Sequence, residues 1–213
     1  MWSVQDPPLG VATVLVSQQA ADGSRKQLGG FRRELCFNTL ATDTPVAAKS
    51  RRGVLRTARV AVPLEQELVE KGYGIVKGDY VELSLLEAAY LLDKGELDVA
   101  TEDGRLLAFQ ELVRIGASLD SDFWVKLNVY TDLRNRGLRA QPLEGLPIML
   151  VDKKTGEGER RLMVLCLEEG VRIGFKELEA FIRRALESRR DPVLAIVDKE
   201  GNISYYIVEK SLG

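Results

Sequence analysis

Apolar and polar positions follow a regular pattern in the C-terminal half of the chain. Apolar residues recur every three or four positions over 122–136 and 175–188, which predicts two amphipathic helices. Gly137 is expected to end the first of them. Continuous apolar runs typical of β-strands occupy 146–151, 161–167, 193–197 and 203–208. The order of these elements predicts a mixed α/β domain.

The pattern in the N-terminal half is weak before residue 70 and clearer after it. Ser84 and Glu87 have the spacing of a capping box, which predicts a helix that ends near Gly95. A strand stopped by Pro63 is predicted over 54–62. The other predicted elements are a strand at 11–16, a short helix at 64–71 ended by Gly72, a hairpin joining 74–76 to 79–83, and a helix at 109–115.

Three small residues, Gly116-Ala117-Ser118, predict a boundary between two domains on composition alone. The predicted division is 1–117 for an N-terminal mixed α/β domain, poorly supported over 1–70, and 118–213 for the C-terminal domain. The expected fold class is therefore α/β in the α+β sense, with two small mixed domains. The second of these is a mixed sheet flanked by helices.

Composition is that of an ordinary globular chain, with 45% hydrophobic and 29% charged residues among 213. Thirty basic and 32 acidic residues give a net charge of −2. An RNA-binding role therefore needs a local basic patch or a basic partner, because phosphate neutralisation supplies most non-specific affinity. No apolar run is long enough to span a membrane, and no signal-peptide pattern is present, so a cytoplasmic location is expected.

Cysteine and histidine usage argues against a metal site. Cys36 and Cys166 each lie in apolar sequence and are expected to be buried thiols rather than a disulfide. With no histidine in the chain, the usual zinc sites are excluded. Asp120 and Asp122 precede a predicted helix and are expected to cap it rather than bind an ion. Neither a cofactor nor a metal is expected.

Four segments in the same order resemble the archaeal tRNA-splicing endonuclease family. They begin with Lys71-Gly72-Tyr73-Gly74 and the stretch 83–99, and continue with Tyr130-Thr131-Asp132-Leu133-Arg134-Asn135-Arg136-Gly137 and the closing hairpin 193–206. The resemblance covers about 71–210. It implies a metal-independent cut of precursor tRNA at a bulge-helix-bulge, leaving a 2′,3′-cyclic phosphate and a 5′-hydroxyl.

That chemistry is attributed in the family to a tyrosine base, a histidine acid and a lysine that stabilises the phosphate charge. Here the tyrosine position falls on Val151 or Asp152, the histidine position on Gly158 or Glu159, and the lysine position on Arg190. Arginine can attract phosphate but cannot replace the proton-transfer groups. No catalytic residue is therefore assigned, and the chain is expected to be a non-catalytic structural subunit that supports and activates a catalytic one.

The resemblance also implies two interfaces with a catalytic paralogous subunit in a two-plus-two heterotetramer. The last strand would pair edge to edge with its counterpart, and the acidic connection would insert into a basic groove of the opposite dimer. Precursor tRNA would be bound through the assembled complex. The candidate contacts are Asp198 and Glu200 in the acidic connection, and Ile203, Tyr205, Ile207 and Leu167 for the apolar part.

Arginine pairs offer possible RNA contacts, with Arg160 and Arg190 as the best candidates, although such pairs are more often solvated helix faces. Arg134 and Arg136 are expected to be structural and to hold their helix against the sheet. Two alternatives stay open. The chain could be a stand-alone RNA-binding or regulatory module, or a Mg²⁺-dependent nuclease, for which no suitably spaced carboxylate and lysine set is present.

Overall fold

The computed structural model describes residues 14–18, 51–155 and 158–210. The first three positions of the predicted strand at 11–16 lie outside these residues, as does Cys36. The first strand is β1 (Val14–Gln18). The N-terminal half continues with β2 (Arg51–Arg56), β3 (Arg59–Pro63), α1 (Gln66–Glu70), β4 (Ile75–Lys77), β5 (Tyr80–Ser84), α2 (Leu85–Asp93), β6 (Leu97–Ala100) and α3 (Phe109–Leu119). The C-terminal half contains α4 (Phe123–Asn135), β7 (Arg139–Pro142), β8 (Ile148–Thr155), β9 (Gly158–Glu168), α5 (Phe175–Glu187), β10 (Asp191–Val197) and β11 (Ile203–Lys210).

The strands form two mixed sheets flanked by helices, so the predicted α+β class is confirmed. The N-terminal sheet has the order β4-β5-β3-β2-β6, and the C-terminal sheet has the order β1-β11-β10-β9-β8-β7. Helices α2, α3 and α4 pack against one another between the sheets. The predicted domain division near residue 117 stays a prediction. Gly116, one of its three small residues, lies inside α3, where the buried ring of Phe123 leaves no room for a Cβ.

Most predicted elements of the N-terminal half form, with one correction. The single strand predicted over 54–62 is a hairpin, because the chain turns at Thr57 with a φ of 53° and returns as β3. Sequence reasoning missed this turn since it contains no glycine or asparagine. Strand β6 was also missed, because four residues are too few to display a period.

The capping box is present and also joins α2 to a neighbouring turn. The backbone N–H of Glu87 donates to Ser84 Oγ, and the N–H of Ser84 donates to Glu87 Oε2 at 2.9 Å. Glu87 Oε1 additionally accepts from the N–H of Gly74 at 2.8 Å. The buried carboxylate therefore satisfies backbone donors from two elements and fixes the β4–β5 hairpin against the helix.

The C-terminal sheet is covered by a helix on each face. Strands β9 and β10 run parallel because α5 connects them as a crossover, whereas β10 and β11 form an antiparallel hairpin. Alternate side chains along the strands face α4 or α5. The face toward α4 includes Val151, Val164, Cys166, Ala195, Ile203, Tyr205 and Ile207, and the face toward α5 includes Ile148, Leu165, Leu167, Leu194 and Tyr206.

The prediction that the last strand has an exposed edge is wrong for this chain. Strand β1 pairs antiparallel with β11 from Val14 opposite Lys210 to Gln18 opposite Tyr206. The backbone groups that a partner strand would use are therefore already hydrogen-bonded to β1, and β1 itself lies at the edge of the sheet. The physical reason is that the unpaired N–H and C=O groups of an edge strand can pair with another extended segment, including one from the same chain.

A cluster centred on Arg134 joins the two halves. Arg134 is only 8% exposed, and its Nε donates to Tyr130 Oη at 2.9 Å. Its Nη1 and Nη2 donate to the backbone carbonyls of Lys71 and Gly72, both at 2.8 Å, and its guanidinium lies 4.1 Å from the centroid of the Tyr73 ring. We call these five residues the junction cluster. Arg134 thus holds α4 against the loop after α1, not against the sheet as predicted.

Among the described residues, no helix combines the length and apolar character needed to cross a membrane. Cys166 is a buried free thiol, and desolvation raises its pKa to about 12. A thiol so strongly protonated is a poor nucleophile, which agrees with the predicted role as a small apolar residue.

Candidate docking loop and substituted catalytic site

The fold brings together the positions at which the family resemblance places tyrosine and lysine. Asp152 lies in the second half of β8, and Arg190 lies immediately before β10. Arg190 Nη1 donates to Asp152 Oδ1 at 2.9 Å, and also lies 3.5 Å from the carbonyl of Val151 and 3.3 Å from that of Leu162. The two positions, 38 residues apart in sequence, therefore form one ion pair at one end of the sheet.

Two further ion pairs continue this charged region. Arg160 Nη2 donates to Asp191 Oδ2 at 2.9 Å, and Arg161 Nη2 lies 3.5 Å from Glu159 Oε2. We call the six residues Asp152, Glu159, Arg160, Arg161, Arg190 and Asp191 the substituted site. The strand register places Arg160 and Asp191 on the sheet face toward α4, and Asp152, Glu159 and Arg161 on the face toward α5. Each arginine in it is matched by a carboxylate.

The substituted site contains carboxylates and guanidinium groups but no phenol or imidazole. A guanidinium does not release its proton in proteins, so it cannot act as the general acid for a leaving oxygen. Of the other two corresponding positions, Val151 is buried and Gly158 has no side chain. The arrangement can attract or repel charge, but it lacks the acid–base pair that the family's chemistry uses.

The acidic connection between β10 and β11 is a braced loop. Asp198 accepts from the backbone N–H of Asn202 and from Asn202 Nδ2, both at 2.7 Å, and these hydrogen bonds hold the pKa of Asp198 below its usual value. Gly201 closes the turn with a φ of 84°, a conformation that favours glycine. Asp198 therefore shapes the loop, whereas Glu200 is exposed at its tip. We call residues 198–202 the docking loop.

The apolar residues predicted for partner contact do not form one surface. Ile203, Tyr205 and Ile207 face α4 and pack against the main core, whereas Leu167 faces α5. Tyr205 is also engaged internally, since its hydroxyl donates to Asp132 Oδ2 at 2.7 Å and burial raises the pKa of its phenol. The four candidates therefore divide between the two faces of the sheet because of β-strand alternation, and their role in partner contact stays a prediction.

Arg136 and Asp132 are contacts of Tyr205 that sequence reasoning did not assign. Arg136 Nε donates to the same Asp132 Oδ2 at 2.7 Å, and its guanidinium lies 5.5 Å from the Tyr205 ring centroid. The i,i+4 spacing of Asp132 and Arg136 signals a helix ion pair, but the tyrosine comes from a distant strand. The prediction that Arg136 holds its helix against the sheet agrees with this geometry.

A cleft of about 790 Å³ lies between the two sheets. Two ion pairs lie in its lining: Arg59 Nη2 lies 2.6 Å from Glu144 Oε2, and the buried Lys126 pairs with Asp120. Asp120 also accepts from the N–H of Asp122 at 3.0 Å, so it braces the start of α4. Asp122 is the N-cap residue but makes no side-chain capping hydrogen bond, so its predicted capping role is wrong. Within the described residues, no group of three metal-ligating side chains occurs.

Two family models match the chain and cover both halves of the fold. The model described as tRNA intron endonuclease, N-terminal domain, matches residues 51–113, and the model described as tRNA intron endonuclease, catalytic C-terminal domain, matches residues 123–205. Together they span both sheets except β1 and most of β11. The fold and the matches thus define a two-domain protein of the tRNA intron endonuclease class.

Curated relatives named tRNA-splicing endonuclease agree with this assignment. The relative from Pyrococcus horikoshii is 41% identical over 140 residues, which is 65% of this chain and 81% of that protein. The relative from Methanococcus maripaludis is 30% identical over 65% of this chain and 80% of that protein. The Methanosarcina mazei relative is 32% identical over 68% of this chain, but over only 41% of its own length. The chain belongs to the tRNA intron endonuclease family.

Proposed function

We propose that this chain is a non-catalytic structural subunit of a heterotetrameric tRNA-splicing endonuclease, which excises introns from precursor tRNA at bulge-helix-bulge motifs. The observation that carries the proposal is the substituted site. At the position where an acid–base pair and a phosphate-binding cation would be required, Asp152 and Arg190 neutralise each other. A catalytic partner subunit would supply the proton-transfer groups.

Chemical requirements support this division of labour. Metal-independent RNA cleavage to a 2′,3′-cyclic phosphate needs a base for the 2′-hydroxyl and an acid for the leaving 5′-oxygen. Histidine titrates near neutrality without help, and the chain contains none. The carboxylate of Asp152 is held by Arg190, and a guanidinium cannot give up its proton. This chain would support assembly of the complex and would not catalyse cleavage of the phosphodiester bond.

The docking loop is the surface that we assign to the catalytic partner. Its backbone is fixed by Asp198 and Asn202, so Glu200 projects from a preorganised turn. A carboxylate held in this way pairs with arginine at little entropic cost. Pairing through the edge of β11 would require β1 to leave, and the docking loop therefore carries the interface in this proposal.

Cleavage of an intron-bearing precursor tRNA tests the proposal. The purified chain alone is expected to leave an end-labelled precursor intact, with and without added Mg²⁺. Mixing it with a histidine-bearing paralogue is expected to yield a 2′,3′-cyclic phosphate and a 5′-hydroxyl. The same mixture made with a paralogue whose histidine is changed to alanine should be inactive. Cleavage by this chain alone would overturn the proposal, and loss of that cleavage on chelation would identify the metal-dependent alternative.

Charge reversal in the docking loop tests its role in assembly. Glu200→Lys is expected to weaken association with the paralogue at least about tenfold, because it places a like charge against a basic groove. Lys199→Gln lies in the same loop and should leave association unchanged or strengthen it slightly. Size-exclusion mass of the mixture reports the two-plus-two species. Equal association by wild type and the Glu200→Lys variant would show that the loop is a solvated turn only.

The alternative of a stand-alone RNA-binding module makes an opposite prediction for the isolated chain. Such a module should bind RNA with an affinity that falls steeply as salt rises. The overall charge of −2 favours the structural-subunit proposal over this alternative.

A further inference from the structure

Trp124 is a large aromatic side chain in the first turn of α4, and it is 53% exposed. Its chain neighbours Phe123 and Val125 are buried, so α4 packs those two side chains into the core and directs this one outward. Single exposed apolar residues are common on protein surfaces, and their position decides whether they matter. Tryptophan is also among the residues most enriched at the energetically important positions of protein interfaces.

Trp124 lies at the end of α4 that is next to the docking loop. Positions 124, 128 and 132 recur every four residues and form one stripe along the helix. At the far end of this stripe, Asp132 accepts from Tyr205 Oη at 2.7 Å. In its middle, a Cβ at Gly201 of the docking loop would lie 4.0 Å from Asn128 Oδ1. The stripe therefore follows β11 back to the docking loop, and Trp124 is its last position, one helical turn of about 5.4 Å beyond Asn128.

The exposed charges around Trp124 are mostly negative. Asp122 precedes it by two residues and is exposed, and Glu200 is exposed at the tip of the docking loop. The docking loop carries two carboxylates and one exposed lysine, Lys199. Lys126, on the same helix, is buried in an ion pair. Such a surface attracts a cationic protein partner and repels the RNA backbone.

An indole ring beside a carboxylate forms a binding site for arginine. The planar guanidinium can stack on the ring while its N–H groups donate to the carboxylate. The protein uses this stacking contact in its own interior, where the guanidinium of Arg134 lies 4.1 Å from the centroid of the Tyr73 ring. Stacking also excludes water from the ion pair, which strengthens the attraction between the charges.

We infer that Trp124 extends the docking loop into a mixed aromatic and acidic surface, on which the indole of Trp124 and the carboxylate of Glu200 bind the same arginine of the catalytic partner. Glu200 is next to Gly201, the loop residue that approaches Asn128, so both side chains are on the same side of the molecule. The identity of the partner rests on the proposed function, whereas the composition of the surface does not. Glu200 provides the charge complementarity, and Trp124 provides most of the affinity.

Association with the histidine-bearing paralogue, immobilised for biolayer interferometry, is the first test. Trp124→Ala is expected to weaken binding about tenfold or more, as for a tryptophan at the centre of an interface. Trp124→Phe keeps a ring with a weaker attraction for cations and should lose only about threefold. The matched control is Phe175→Ala, which removes a 69% exposed aromatic side chain from α5 on the other face of the sheet and should bind as wild type does.

A double-mutant cycle tests whether Trp124 and Glu200 bind one arginine. Glu200→Gln removes the charge and keeps the shape of the side chain. If both residues contact the same guanidinium, the double variant Trp124→Ala/Glu200→Gln should be weakened less than the product of the two single losses, by about threefold or more. Losses that multiply would show two independent contacts and would contradict the shared arginine.

Fluorescence quenching tests the surface in the isolated chain without a partner. The chain has two tryptophans, so Trp2→Phe leaves Trp124 as the only emitter. Caesium ions are expected to quench Trp124 more efficiently than iodide, each relative to free N-acetyltryptophanamide, because the surrounding carboxylates attract cations. Glu200→Gln should reduce this difference. Equal quenching by the two ions would mean that the indole is not in an acidic surrounding and would overturn the inference.

The remaining outcomes separate this inference from the proposed function. Unchanged binding by Trp124→Ala, with weakened binding by Glu200→Lys, would overturn the inference alone. No association by the wild-type chain would overturn the proposed function and, with it, the partner assigned here. Binding of a bulged RNA hairpin by the isolated chain that is lost in Trp124→Ala would show that the indole stacks on a base, and the arginine partner would then be wrong.

Discussion

Arg134 and Arg190 are both largely buried arginines, but they have opposite surroundings. Arg134 in the junction cluster donates to two backbone carbonyls and a phenol, and it stacks on an aromatic ring, with no carboxylate among these partners. Arg190 in the substituted site is paired directly with the Asp152 carboxylate at one end of a sheet. Arg134 is therefore part of the packed interior, whereas the positive charge of Arg190 is neutralised by a carboxylate near the surface.

This difference shows how one residue type takes a structural or an electrostatic role. If the guanidinium of Arg134 were removed, the neutral oxygens that accept its hydrogen bonds would be left unsatisfied. Arg134 therefore stabilises the contact between the two halves. A carboxylate near the surface has water as an alternative partner, so the pair at Arg190 adds less to stability.

Replacing Arg134 should have the largest effect on stability. Arg134→Met keeps most of the side-chain volume but removes three hydrogen bonds, and we expect the free energy of unfolding to fall by about 3 kcal/mol, roughly 1 for each bond. Urea unfolding followed by circular dichroism measures this loss. Arg136→Met removes a partly exposed i,i+4 pair and should cost less than about 1 kcal/mol. Equal losses for the two variants would contradict the role assigned to the junction cluster.

The junction cluster should also make the protein sensitive to alkaline pH. Burial raises the pKa of Tyr73 to about 12 and that of Tyr130 well above its ordinary value of 10. Both phenols keep their protons in the folded state at a pH where the unfolded chain has lost them. The stability that these two phenols contribute is therefore complete below about pH 10, and above it the free energy of unfolding should fall by up to about 1.4 kcal/mol per pH unit for each tyrosine.

Urea titrations from about pH 8 to about pH 11 measure this slope. Tyr73→Phe should reduce it by about one tyrosine's share, whereas Arg190→Gln in the substituted site should leave it unchanged. A pH-independent free energy of unfolding across this range would show that the phenols are not protected from solvent.

Replacing Arg190 should have a smaller effect on stability than replacing Arg134. Arg190→Gln breaks the pair with Asp152, whose side chain is 38% exposed, and we expect a loss of about 1 kcal/mol. The Asp152→Asn variant, which keeps an acceptor, should lose less. Urea unfolding beside the Arg134→Met variant gives the comparison directly. A loss as large as that of Arg134→Met would mean that the substituted site also supports the fold.

The smallest effect is expected at the outer pair of the substituted site. Arg160 and Asp191 are both about half exposed, so water screens their attraction. Arg160→Gln should change the free energy of unfolding by less than about 0.5 kcal/mol. Thermal unfolding of this variant should nearly coincide with that of wild type, and a clear downward shift would reveal a contact that the pair geometry does not explain.

Much of the fold was predictable because its signals are local. The capping box at Ser84, the helix end at Gly137 and the amphipathic pattern of α5 are read over a few residues, and each forms. The hairpin turn at Thr57 was missed because a threonine with positive φ gives no sequence signal. Strand β7 was missed because Arg139-Ala140-Gln141-Pro142 contains one core residue, Ala140.

The candidate site was predictable in part. The sequence alone showed the absence of histidine and the presence of the acidic connection. Comparison with the family's motifs located the residues that replace the catalytic ones, at 151–152, 158–159 and 190. The pairing of Arg190 with Asp152 and of Arg160 with Asp191 was not, since the partners are 38 and 31 residues apart. The separation of Leu167 from the other apolar candidates follows from which sheet face each residue occupies, and sequence reasoning had not assigned those faces.

The amino-acid sequence by itself determined which chemical groups this protein possesses, since an absent imidazole cannot be restored by folding. It also determined the elements whose turns and caps are encoded within a few residues. Only the tertiary structure decided what each charged group faces: neutral carbonyls for Arg134, a carboxylate for Arg190, and β1 along the edge of β11. The reason is that the interaction of a charged side chain depends on its distance from other groups and on its burial. Folding brings together residues that are far apart in the sequence, and local sequence patterns do not specify these contacts.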